Sequence, residues 1–144
     1  KYFLTLATMI YSANETYTAF YPNDSFYHDE FSRNTNIGFP KDAKIILKSA
    51  TYPDIHGTYS SAILFEVDKQ TMFKLISDIE TNCNFKKDTL LFSFSSDISE
   101  DTKEYDTKLF SINYYGNLTE SGTYSFNIAF DTTNNLVVFS KGLW

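Results

Sequence analysis

Two histidines and the carboxylates beside them are the first residues whose types could do chemistry. In "TYPDIHG" (51–57), Asp54 and His56 stand two positions apart, a spacing that shares one face only where the backbone is extended. In "HDE" (28–30), His28, Asp29 and Glu30 could add nitrogen and oxygen ligands if the fold brought the two stretches together. His28, Asp54 and His56 are therefore the metal-ligand candidates, and a metal-dependent hydrolase is the function they would serve. The same residues have a simpler reading. Pro53 fixes φ, Gly57 admits left-handed backbone, and Asp54 can bond its own backbone two residues on, which is all that a reversal between two strands needs. On a helix, positions 28, 29 and 30 fan out in different directions, so an exposed charged face is expected there. No metal and no other cofactor is expected, and no catalytic residue is assigned.

The lone Cys83 leaves no internal disulfide, CxxC motif or cysteine-built zinc cluster; as a nucleophile it would need His28 or His56 brought to it by the fold. Phosphate loops, HExxH, GxSxG and paired-carboxylate signatures do not occur. "SSDISEDTKEYDTK" (95–108) is the strongest charge feature, with Asp97, Glu100, Asp101, Glu104 and Asp106 facing few lysines. Its start mimics a calcium loop, but Thr102 stands where the turn glycine belongs and Lys108 where the bidentate glutamate belongs. An acidic inter-strand loop remains, and these five carboxylates are the candidate partner-binding residues. Sequons at Asn14, Asn23 and Asn117 matter only in a eukaryotic secretory setting.

The whole chain shares that sign. A net charge of −6 and a single arginine, Arg33, argue against nucleic acid and against an anionic membrane surface, and favour a basic protein partner. Length (144 residues), 42% hydrophobic and 21% charged residues suit one domain, 1–144, with its own core. Aromatics reach 18%, which tilts the expectation toward pleated, half-buried surfaces.

The elements that must position these groups follow from periodicity. "GTYSFNIAF" (122–130) alternates Tyr124, Phe126, Ile128 and Phe130 against Thr123, Ser125, Asn127 and Ala129, which predicts a strand with one wet face. Residues 89–95, 108–115 (Phe110, Ile112 and Tyr114 on one side) and "LVVFS" from 136 complete four sequential antiparallel strands. Gly116, Gly122 and Asn134-Asn135 supply the positive φ that hairpins need. "VDKQTMFKLISDI" carries one apolar stripe after the N-cap Asp68, predicting the main amphipathic helix over about 68–80. Residues 44–50 and 59–67 read as a strand pair, and a short helix over about 24–32 starts from a cap at Asp24. Residues 1–13, "KYFLTLATMIYSA", are read as an N-terminal strand; the alternative is a signal-peptide remnant, which would imply the periplasm or secretion where a strand implies the cytoplasm. No segment is apolar enough to span a membrane. The fold class is thus α+β, an antiparallel sheet of about five to seven strands with its helix packed on the apolar face.

Across residues 36–79 the order Gly38-Phe39-Pro40-x-x-Ala43, a strand, His56-Gly57 with an aromatic-led strand, then Val67-Asp68 opening a helix resembles a pattern in small, largely uncharacterised bacterial proteins, some of them immunity proteins of toxin systems. Many of those read His-Gly-Asp where this chain has His56-Gly57-Thr58. The resemblance implies this part of the fold and carries over no catalytic residue.

Together these readings give a non-catalytic binding protein, expected to be an immunity or inhibitor protein that neutralises a basic toxin or enzyme through an acidic surface. The alternative is a secreted or envelope module for a small ligand or glycan. The positions of Tyr59, Tyr105, Tyr114, Tyr115 and Trp144 decide between them, because aromatics exposed in a concave site favour a ligand.

Overall fold

Residues 2–20 contain neither glycine nor proline, and their small hydroxyl residues recur on one side at helical spacing. They form a helix, α1 (Tyr2–Phe20), in the computed structural model, which describes residues 2–51, 59–82, 85–88, 110–117 and 124–143. The expected N-terminal strand is therefore corrected. The segment lacks the strict alternation a half-buried strand requires, and no glycine or proline interrupts a helix there.

The next helix, α2 (Asp24–Thr35), begins at Asp24 itself, so its cap lies one residue before the expected one. Asn23 is the N-cap, its side-chain oxygen accepting from the Phe26 backbone N–H at 3.2 Å. Asn36, left-handed at φ 56°, closes the helix. The strand pair follows as β1 (Lys44–Ala50) and β2 (Ser61–Glu66), then α3 (Lys69–Glu80) behind its expected cap Asp68, which accepts from the Thr71 N–H at 2.8 Å. Three further strands and a short edge finish the sheet: β3 (Lys86–Asp88), β4 (Ile112–Asn117), β5 (Tyr124–Asp131) and β6 (Leu136–Leu143).

The protein is α+β, with a six-stranded antiparallel sheet in the order β1-β2-β6-β5-β4-β3. Helix α3 connects β2 to the far edge, and the chain then meanders back until β6 pairs with β2. Register lines the helix-facing side with cross-strand rows: Ile63, Phe139, Ile128 and Tyr114 form one, and Phe65, Val137, Phe130 and Ile112 the next. Tyr27 and Phe31 of α2 and Met72, Leu75, Ile76 and Ile79 of α3 close over those rows. Phe31 sits at the junction, edge-on to Phe39, Phe65 and Phe139.

Three expectations about the strands and their turns are revised. The face of β5 opposite Phe126 is not wet, since Ala129 is fully buried and Ser125 nearly so. With Leu64, Phe110, Leu136 and Val138, Ala129 forms a second, smaller apolar cluster. The central strands "SAILFE" and "LVVFS" are continuous apolar runs, and such runs are buried on both sides. Phe110 consequently lies in the second cluster, away from Ile112 and Tyr114, because regular pairing of β4 begins only at Ile112. Gly116 is a paired strand residue opposite Phe126; the left-handed turn residue is Asn135, at φ 57°. The expected strand at 89–95 and the turn at Gly122 lie outside the described residues.

Candidate functional site

Alternation along β6 puts Lys141 on the same side as Val137 and Phe139, facing the helices. Helical spacing puts Glu30 beside Tyr27 and Phe31, facing the sheet. The two charges meet. Lys141 Nζ donates to Glu30 Oε2 at 2.9 Å, with their side chains 12% and 2% exposed. Arg33, mostly in solvent, reaches the other carboxylate oxygen at 3.2 Å. Lys141 Nζ also donates to Tyr59 Oη at 3.2 Å and lies 4.4 Å from the centre of that ring.

This cluster is held in its protonated-lysine, neutral-phenol form. Burial pulls the Lys141 value down, but hydrogen bonds with Glu30 and Tyr59 and the Glu30 charge outweigh it, and the net shift is upward. Tyr59 is raised by burial first and by Glu30 second. Neither group is moved toward the neutral range where a base or nucleophile would be useful. Its chemical capacity is to lock α2 onto the sheet.

Aromatic rings carry the arrangement outward. The Tyr59 ring centre is 5.7 Å from that of Phe26, which meets Tyr27 edge-on at 5.1 Å. Lys48 Nζ lies 5.8 Å from the Tyr27 ring centre and bonds Asp24 Oδ1 at 2.6 Å. Burial, and then the Asp24 charge, push the Tyr27 hydroxyl up to about 12. Here a cleft of about 610 Å³ opens between the end of α1, the start of α2 and β1. Tyr17, Tyr21, Pro22, Asn23, Tyr27, Lys48, Ser49 and Ala50 line it. Tyr17 and Tyr21, 64% and 67% exposed, stand side by side with ring centres 5.2 Å apart. The lysine in the cleft is already paired, so the cleft offers aromatic faces and hydrogen-bonding groups with little net charge.

The residues singled out in the sequence fall elsewhere. His28 is half-buried and stacks on Phe39 at 4.1 Å, and Asp29 is exposed. Glu30 corrects the expected exposed face, because an inward position facing a lysine allows a carboxylate to be buried. Asp54, His56 and Cys83 lie outside the described residues, as do Asp97, Glu100, Asp101, Glu104 and Asp106. Among the described residues, no group of three or more His, Cys, Asp or Glu side chains could hold a metal ion. Of the deciding aromatics, Tyr114 is core and donates to Glu80 Oε1 at 2.8 Å, Tyr59 belongs to the ion-pair cluster, and Tyr115 is half-buried. Tyr105 and Trp144 lie outside the described residues. The cleft is built instead by Tyr17, Tyr21 and Tyr27, which only the packing of α2 against β1 brings together with Lys48.

No family model, curated protein or solved structure matches this chain.

Proposed function

We propose that this is a non-catalytic binding protein whose tyrosine-lined cleft takes a neutral saccharide. The observation that carries the reading is the exposed Tyr17–Tyr21 pair beside Lys48 in a cleft of about 610 Å³. A sugar ring presents an apolar C–H face that stacks on a phenol ring and a rim of hydroxyls that bond polar side chains. The prior neutralisation of Lys48 by Asp24 and the net charge of −6 both weigh against an anionic ligand. Screening the full chain on an array of neutral glycans, with Tyr21→Ala in parallel, tests this. Retention of a glycan class by the parent and an approximately tenfold weaker signal from Tyr21→Ala are expected. No retained glycan, or retention indifferent to Tyr21, overturns it.

The charge supports a second reading. The acidic 97–106 segment suits an immunity or inhibitor protein that occludes a basic toxin or enzyme. Exchange of Asp97, Asp101 and Glu104 for serine should remove such a partner from a pull-down. An unchanged profile counts against it.

A further inference from the structure

One wall of the tyrosine-lined cleft is backbone. Lys48, Ser49 and Ala50 line it as consecutive residues of β1, although side chains alternate between the two faces of a strand. A cleft confined to one face would meet only every second residue, so this one reaches the edge of the strand itself. β1 is the last strand of the sheet on that side. The Thr51 N–H donates to the Ser60 carbonyl at 2.9 Å, so alternation turns the backbone groups of Ser49 toward β2 and those of Lys48 and Ala50 away from it. Among the described residues, no backbone group bonds Lys48 or Ala50 on that outer side.

The start of α2 supplies a complementary group. Asn23 lines the same cleft, and its oxygen is committed: Oδ1 accepts from the Phe26 N–H at 3.2 Å and from Ser25 Oγ at 2.7 Å. A backbone N–H can only donate, which fixes the orientation of the side-chain amide and leaves Nδ2 as a donor for a ligand. The cleft therefore sets carbonyl acceptors on β1 against an amide donor on α2, beside the phenol rings of Tyr17, Tyr21 and Tyr27.

We infer that the saccharide taken by this cleft carries an N-acetyl group, its N–H donating to an outward carbonyl of β1 and its C=O accepting from Asn23 Nδ2. The inference rests on the saccharide reading above and narrows it. A trans secondary amide points its N–H and C=O in opposite directions and so bridges an acceptor on one wall and a donor on another, where a hydroxyl bonds through a single atom. The acetamido group is uncharged, as a cleft whose one lysine is already paired requires, and its methyl adds apolar surface against the rings. An extended peptide also presents amides, but the bulge between Ile45 and Leu47 breaks the edge just upstream. Two outward residues remain, fewer than an added strand needs.

The test is binding of the full chain to immobilised neutral oligosaccharides in pairs that differ only in a hydroxyl or an acetamido group at C2, in both gluco and galacto series. The expected result is a preference of at least about tenfold for one acetamido series over its hydroxyl counterpart, which Asn23→Asp and Asn23→Ser both erase. Aspartate and serine cap a helix as well as asparagine does but lack the amide donor, so circular dichroism and the urea midpoint should match the parent. Serine also removes the donor without adding charge. Saccharide binding with no acetamido preference, or a preference that survives both variants, overturns this inference and leaves the saccharide reading standing. A chain that retains no oligosaccharide of either kind overturns both.

Discussion

Replacing Lys141 with methionine leaves Glu30 buried beneath α2 without its main partner. Removing one member of a buried pair costs about 3–5 kcal/mol, because the survivor keeps the desolvation penalty and loses the attraction. Arg33 still reaches Oε1 at 3.2 Å, but its side chain is 70% exposed and its help is screened, so the low end applies, about 3 kcal/mol. Urea unfolding followed by far-UV circular dichroism measures this. Glu30→Leu combined with Lys141→Met should recover most of the stability, because the penalty belongs to the unpaired charge. A loss below about 1 kcal/mol would show that water reaches Glu30 and refute the reasoning.

Three further outcomes follow from the same geometry. Asp131→Ala should cost about 1–2 kcal/mol in urea unfolding, because the buried carboxylate accepts from the Thr133 and Asn134 N–H groups and from Asn134 Nδ2 and so shapes the β5–β6 turn. Asn135→Ala should be about 1 kcal/mol less stable than Asn135→Gly, since φ 57° strains an alanine and not a glycine. In alkali, Tyr27, Tyr59, Tyr114 and Lys141 all titrate above their ordinary values in the fold, so the unfolded chain releases those protons first. Stability should hold to about pH 10 and fall above it, and ultraviolet titration should show phenol ionisation delayed to about 12 at Tyr27, a delay lost in urea.

Part of this molecule was legible in one dimension. The period-2 runs around Phe126–Phe130 and Val137–Phe139 and the capped stripe behind Asp68 each fix a local structure whose burial reinforces it, so class and most elements could be read directly. Residues 2–20 resisted, because an apolar run without alternation suits a strand core or a helix alike, and residues 3–17 are all exposed. The second apolar cluster was hidden for a related reason. A continuous run such as "AILF" announces burial without saying on how many sides.

The site divides the same way. Each half of the Glu30–Lys141 pair carried a signal, an inward glutamate between Tyr27 and Phe31 and an inward lysine two places after Phe139. Sequence alone did not determine that either charge is buried, and the face carrying Glu30 was expected to be exposed. That they satisfy one another across 111 positions, and that Tyr17, Tyr21 and Tyr27 converge with Lys48 around one cleft, was decided only when β6 paired with β2 and α2 closed over the sheet. Periodicity is a property of neighbours along the chain. Charge pairing and concavity are properties of neighbours in space, and no local rule specifies which distant face each one meets.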